Sequence, residues 1–310
     1  MNYELEIMNW FNSLLALLLT IGALMFLSYH NHAQSPVIAD GAQLKQVASG
    51  YSFTEGPAVD PDGNVYFTDQ PNDRIYKWSA NDGSVTLFME GGKRSNGLYF
   101  DNHGVLLSCA DFRNQLVKIH PDQSMEVLLD NFQGKKFNGP NDLWVHPDGR
   151  IYFTDPFYKR NWWDHEEKEI EAENVYCFFP ESKEIFVVDD DLVRPNGIVG
   201  TPDGKTLYVA DINDKKTYSY KINKDGSITK RKLFTEMGSD GMTIDDKGNV
   251  YLTNTAGVTA FDRKGDRIEQ IPTGEKWTAN VVFGGKDRNI LFITAMGSVY
   301  TLEMKVNGVR

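Results

Sequence analysis

The chain is poor in cysteine: 310 residues carry two, Cys109 and Cys177, far apart and in no C-x-x-C spacing. That excludes a disulfide framework and a thiolate zinc site, and two isolated thiols are expected. Basic residues are also short, 32 Lys and Arg against 43 Asp and Glu for a net charge of −11. No basic face for nucleic acid or an anionic membrane surface is expected. No H-E-x-x-H or G-x-S-x-G occurs, and no serine or cysteine nucleophile has an evident histidine partner. From Pro36 onward no long stretch has helical periodicity. What is present is 41% hydrophobic residues, enough for a full core, arranged in short runs of Val, Ile, Tyr, Phe and Thr broken by Gly, Asn and Asp. This is an all-β pattern.

The N-terminus differs from the rest. Residues 14–27, LLALLLTIGALMFL, form an apolar run of about 14 residues, extendable to residues 10–29. It is long enough for a signal-peptide core and shorter than the roughly 20 residues of a spanning helix. Glu4 and Glu6 precede it without Lys or Arg, and a start at Met8 would remove both. Small residues at Ala33 and Ser35 offer a cleavage site, and the absence of a following Cys argues against a lipoprotein anchor. The expected division is residues 1–35 as signal peptide or membrane anchor, with cleavage favoured, and residues 36–310 as the folded domain. The protein is thus expected to be exported, periplasmic or secreted, or else attached to a membrane through residues 10–29.

The folded part is a repeat. The segments DPDGNVYFTD, DNHGVLLSCAD, HPDGRIYFTD, TPDGKTLYVAD, DDKGNVYLTN and the degenerate GKDRNILFITA follow one another, with turn residues Gly63, Gly104, Gly149, Gly204, Gly248 and Arg288. Their intervals of 41, 45, 55, 44 and 40 residues suit four-stranded propeller blades. The expectation is a six-bladed β-propeller. In blade one the strands are read at 58–60, 65–68, 74–78 and 85–89. The sixth unit ends with its third strand, 298–304, so 43–48 is expected to supply the fourth and close the ring. The long third interval holds an insertion, Pro156 to Asn174, with Phe157, Tyr158, Trp162 and Trp163 in its first half and an acidic second half read as a solvated helical turn. A surface excursion and a lid over a pocket are equally compatible with it.

Counting eight residues back from each turn residue gives Glu55, Asn96, Asn141, Asn196, Asp240 and Asn280. A shared offset means a shared place, the start of the innermost strand, so all six face one end of the central channel. Asn or Asp before Gly also makes turns without any function. Six in register, none apolar and none basic, point instead to an oxygen-lined ring that is costly to bury unless something binds it. Hard oxygen donors with two carboxylates suit Ca²⁺ ahead of Mg²⁺ or Mn²⁺, with Zn²⁺ less suited. His103, His120, His146 and His165 fall in turns or loops, where surface roles are the default.

FTEGPAVDPDGNVYFTD, FNGPNDLWVHPDGRIYFTDP, RPNGIVGTPDGKTLYVAD and SDGMTIDDKGNVYLTN resemble segments of the gluconolactonase and regucalcin (senescence marker protein) family, six-bladed propellers related to diisopropylfluorophosphatase. The resemblance runs from about Tyr51 to Thr294 and is closest to the bacterial gluconolactonase kind. It implies that Glu55, Asn196 and Asp240 bind a catalytic divalent metal, that Asn141 is a fourth ligand or a substrate contact, and that Asp240 also handles a proton. Two features depart from the family. The Phe137–Asp142 segment lacks the Arg of regucalcin-type members, so their sugar contacts are not transferred. An export segment is foreign to the cytosolic members.

The expected activity is metal-assisted hydrolysis of a small-molecule, sugar-type lactone, with the cation polarising the carbonyl and Asp240 as general base. Asn96, Asn141, Asn280 and Asp142 are expected around the substrate. Asp142, Asp69, Asp155 and Asp211 could support the ligands, or the strand-end aspartates could simply bond backbone amides. Two alternatives stay open: another ester or a phosphotriester as substrate, and a non-catalytic Ca²⁺-stabilised binding module. A monomer is the default.

Overall fold

The computed structural model describes residues 35–309, and the apolar segment at residues 10–29 lies outside them. The described residues form six four-stranded antiparallel sheets, each a blade. Blade one consists of Thr54–Val59, Val65–Asp69, Arg74–Trp78 and Val85–Glu90. Its inner strand begins four residues earlier than the sequence suggests, because Thr54 already pairs with Asp69 and Glu55 with Thr68. A register break between Glu55 and Ala58 carries the strand across the polar T-E-G-P start. The ring closes as expected: Lys45–Ser49 pairs with Ser298–Glu303, Lys45 lying opposite Thr301 and Ser49 opposite Ser298.

The hairpin between the first two strands of each blade is specified locally. In blade one Asp60 Oδ1 accepts the backbone N–H groups of Asp62 and Asn64 at 3.0 and 2.9 Å, while Gly63 takes the positive φ of 86° that the turn requires. Asp101 and Asp245 repeat this in blades two and five. In blade three the same place is held by His146, whose Nδ1 lies 2.7 Å from Asp148. That histidine therefore serves a turn. The outgoing strands bury their apolar residues between neighbouring blades, Phe67, Phe153, Tyr176, Phe178 and Phe292 being fully enclosed. Cys109 and Cys177 are buried and unpaired in the same layers.

Two recurring polar contacts fix where the inner strands start. The aspartate that ends the second strand turns back to accept two successive N–H groups just upstream of the inner strand. Asp69 takes Ser52 and Phe53, Asp155 takes Asn138 and Gly139, and Asp211 takes Val193 and Arg194. In each case these residues lie three and two places before Glu55, Asn141 and Asn196, so the bond sets the height at which the ring residue enters the channel. The threonine before that aspartate reaches the next blade. Thr68 Oγ1 donates to Asn96 O at 3.2 Å and Thr154 Oγ1 to Asn196 O at 2.8 Å. Asp69, Asp155 and Asp211 therefore bond backbone amides, the simpler of the two roles open to them.

Asp155→Ala leaves the Asn138 and Gly139 donors without their acceptor in a buried site, and a loss of about 3 kcal/mol of unfolding free energy is expected from urea titration at pH 7.5. Burial also raises the Asp155 carboxyl to about 7. Below about pH 4 both folded and unfolded forms of this group are protonated, and as pH rises toward 7 only the unfolded form ionises readily, so its contribution to stability falls over that window. Asp155→Asn should flatten that part of the stability–pH curve relative to the parent.

Candidate active site

The six ring residues stand where their common offset places them. Glu55, Asn96 and Asn196 are each the second residue of their inner strand, Thr54–Val59, Ser95–Phe100 and Pro195–Gly200. Asn280 is the third of Thr278–Gly284, and Asn141 and Asp240 lie two residues ahead of the short strands Leu143–Val145 and Met242–Ile244. All are buried except Asp240, which is partly open. Contacts run between blades. Asn280 Nδ2 donates to Glu55 Oε2 at 3.1 Å, the same oxygen that accepts the Gly56 N–H. Asn196 Nδ2 donates to Asp240 Oδ1 at 2.8 Å, and Gly97 N donates to Asn141 O at 2.8 Å.

The carboxylates destabilise one another. Burial raises Glu55 well above the ordinary carboxylate range, and the nearby Asp240 charge raises it further. Asp240 is raised to about 6 by burial, against hydrogen bonds from Trp277 and Asn196 that hold it down. Two amide oxygens of the ring, Asn96 Oδ1 and Asn196 Oδ1, are buried without a hydrogen-bond partner among the described residues.

Asp142 occupies a different level. Its Oδ1 accepts the Leu143 N–H at 2.9 Å, and burial raises its carboxyl to about 7. With Asn280 it borders a cavity of about 470 Å³ that follows the inner strands down the channel, past Leu98, Ile198 and Met242 to Arg288. Glu55, Asn96, Asn141, Asn196 and Asp240 do not line that cavity. Asp142 and Asn280 thus stand between the ring and the channel interior.

The insertion folds over the ring end. Tyr158 Oη accepts a hydrogen bond from Asn196 Nδ2 at 2.9 Å. Arg160 lies beside Asp111, Nε to Oδ2 3.3 Å, and its charge is felt at Asp240. Trp162 Nε1 donates to Asp111 Oδ2 at 3.0 Å, and Trp163 Nε1 to Asp111 O at 2.6 Å. Asp111 is the strand-end aspartate of blade two, yet it takes the insertion in place of the upstream amides that its counterparts bind. The second half of the insertion is not helical: Ile170 and Glu173 are buried, and Glu173 pairs with Arg194 at 3.1 Å. Packing and an ion pair override the local pattern there.

Sequence reasoning missed Trp277, whose Nε1 donates to Asp240 Oδ2 at 2.5 Å, and Arg160, while Tyr158, read there only as part of an insertion open to a lid or a surface role, meets Asn196. Trp277 stands in a loop with no counterpart at a shared offset, so only its place three residues before Asn280 could have drawn attention to it. Trp277→Phe removes a donor that favours the ionised Asp240 carboxyl. In the metal-free protein that carboxyl should titrate above its parental value of about 6, read by carbon NMR of the side chain, and an unchanged titration would refute the coupling.

The family description "SMP-30/Gluconolactonase/LRE-like region" matches residues 53–297. A gluconolactonase of Zymomonas mobilis is 28% identical over 295 residues, spanning 86% of this chain and 82% of its own. The structure of a gluconolactonase from Xanthomonas campestris superposes with a TM-score of 0.80 at 26% identity, covering 88% of this chain and 96% of the other. Regucalcin of Agrobacterium tumefaciens shares the fold at 19% identity, with a TM-score of 0.73 over 86% of this chain and 96% of its own. With a match running from the entry to blade one to the last hairpin of blade six, this chain belongs to the SMP-30/gluconolactonase/LRE-like family.

Proposed function

We propose that the protein is a metal-dependent lactonase that opens a sugar-type lactone at the ring of Glu55, Asn141, Asn196 and Asp240. The observation that carries the reading is the pairing of two mutually repelling carboxylates, the buried Glu55 and the partly open Asp240, with the unpartnered Asn196 Oδ1. Buried acceptors without donors, next to like charges, are stabilised by a hard divalent cation. The donor set of two carboxylates and two amides fits Ca²⁺ ahead of Mg²⁺ or Mn²⁺. The gluconolactonase relatives support lactone hydrolysis as the reaction. When bound, the cation supplies Lewis-acid polarisation of the lactone carbonyl.

The chain's own groups do the rest. Asn196 Nδ2 and Trp277 Nε1 hold the two oxygens of the Asp240 carboxylate in one orientation, so Asp240 is set to take a proton from an attacking water. The water oxygen bonds to the carbonyl carbon, the bond from that carbon to the ring oxygen breaks, and the proton passes from Asp240 to the departing ring oxygen. The product is a hydroxy acid. Asn96 offers neutral hydrogen bonds to substrate hydroxyls, while Asn280, bonded to Glu55, keeps that carboxylate turned into the ring. Tyr158, over Asn196, helps exclude bulk water.

Acid release from glucono-1,5-lactone by the full chain with Ca²⁺, at constant pH near 6.5, tests the reading. Chelation should abolish turnover and restored Ca²⁺ should recover it. Asp240→Asn should lower kcat by about 10²- to 10⁴-fold, the range for a lost general base. Turnover should fall as pH drops through the Asp240 pKa, since only the ionised form accepts a proton, and the cation should move that limb below about 6. Metal-independent turnover, or a fully active Asp240→Asn, would overturn the mechanism.

A further inference from the structure

Two of the six inner strands are preceded by arginine at one shared place. Two residues before the ring position stand Phe53, Arg94, Gly139, Arg194, Gly238 and Thr278 in blades one to six. Arg94 and Arg194 therefore flank blade three. The blade-three place itself has no side chain: Trp163 packs there, and a β-carbon on Gly139 would come within 3.2 Å of its ring. From that same insertion comes a third guanidinium, Arg160. The three are joined through aromatic faces. Arg94 lies 4.5 Å over the Trp162 ring, Arg160 lies 5.4 Å from Tyr158 and 5.6 Å from Trp162, and Arg194 lies 5.0 Å over Tyr158. The ring end thus carries a cationic arc over blades two to four, with phenylalanine, glycine and threonine at the equivalent places opposite, in a chain whose net charge is −11.

The arc is not used up by its own contacts. Arg94 spends Nη1 on the Pro71 carbonyl at 2.6 Å, and Arg194 spends Nε and Nη2 on Glu173. Arg160, half-buried and the one whose charge reaches Asp240, pairs with Asp111, Nε to Oδ2 3.3 Å. Its two terminal amino groups make no hydrogen bond among the described residues. A half-buried guanidinium with a free fork beside a reaction site is suited to bidentate capture of a carboxylate, phosphate or sulfonate. Stacking on Tyr158 and Trp162 fixes its orientation beforehand, which lowers the entropy lost on binding.

We infer that the substrate is an anionic sugar lactone, its carboxylate, phosphate or sulfonate held by Arg160 under the Arg94–Arg194 arc while its lactone carbonyl lies at the ring. This rests on the lactonase reading and specifies its substrate class. Arg160 then determines specificity, and the insertion is the part of the chain that selects the substrate.

The test compares glucono-1,5-lactone with its 6-phosphate on the full chain with Ca²⁺, and measures binding of the dianion glucarate and the monoanion gluconate by calorimetry. The parent should favour the phosphorylated lactone in kcat/KM, and glucarate over gluconate in affinity, by about 10- to 100-fold, the worth of one charged hydrogen-bonded pair. The advantage should shrink as salt rises. Arg160→Gln should remove most of the preference, chiefly through KM, and Arg94→Gln part of it. Near-ultraviolet circular dichroism reports whether Trp162 and Trp163 stay docked in each variant. Equal handling of both lactones by an active parent overturns the inference and leaves the lactonase reading standing. A preference that survives both substitutions overturns the assignment to the arc. If neither lactone is opened, the lactonase reading fails, and calorimetry alone decides the anion site: equal affinity for glucarate and gluconate overturns it, tighter glucarate binding upholds it.

Discussion

The inner strands of the propeller crowd the axis so closely that the residue after the ring position has almost no room for a side chain. A β-carbon on Gly56 or Gly97 would run into the main chain of Asn96 or Asn141 in the next blade, one on Gly197 would meet Asp240 O at 2.9 Å, and one on Gly241 would overlap the Asn280 amide. Glycine at this place lets each blade tuck beneath its neighbour, and the polar residue just before it is thereby carried to the mouth of the channel. The exceptions are Asp142 and Val281, in blades three and six, which face one another across a six-fold ring. Asp142 uses its side chain to partition the ring from the cavity below. Site and fold therefore depend on one packing restriction, and a chain that closed more loosely would scatter the six oxygens.

That restriction explains how much was legible in the sequence. The hairpin turns are local devices, an aspartate capping two amides around a glycine, and they recur with enough regularity to count blades. The ring residues inherit a fixed distance from those turns, so Glu55, Asn96, Asn141, Asn196, Asp240 and Asn280 could be read as a set. Asp111 shows where such reading stops. It occupies the same strand-end place as Asp69, Asp155 and Asp211, but the insertion some fifty residues later supplies Trp162 and Arg160, to which the carboxylate turns, and Trp163, which bonds the Asp111 backbone carbonyl. A shared place in a repeat predicts a shared backbone position, and the partner still depends on what long-range packing brings alongside. Trp277 was hidden for the same reason.

The site places stability and chemistry in opposition. Burying Glu55, Asp142 and Asp240 near one another raises all three carboxyls above their ordinary range, a cost that nothing in the scaffold offsets fully. Perturbed carboxyls gathered at one end of a channel are the pattern of a functional site. The scaffold tolerates them because its strength lies elsewhere, in the aromatic layers between blades and in strand-end aspartates whose two amide bonds each are independent of whatever occupies the ring.

Blade six is assembled from both ends of the folded chain, Lys45–Ser49 completing a sheet whose other strands begin at Thr278. Nearby, Lys305 N donates to Val37 O at 2.8 Å and Ile38 bridges Met304. This seam joins segments about 250 residues apart, among the longest loops the polypeptide could close. During synthesis the first five blades can each pair their own strands as they emerge, but the circle stays open until Ser298–Glu303 is made, and contacts of such separation form slowly. The Asn280–Glu55 bond spans the same gap, so the oxygen ring comes into being only at that last event. Until then the first and sixth blades share no contact across the channel mouth.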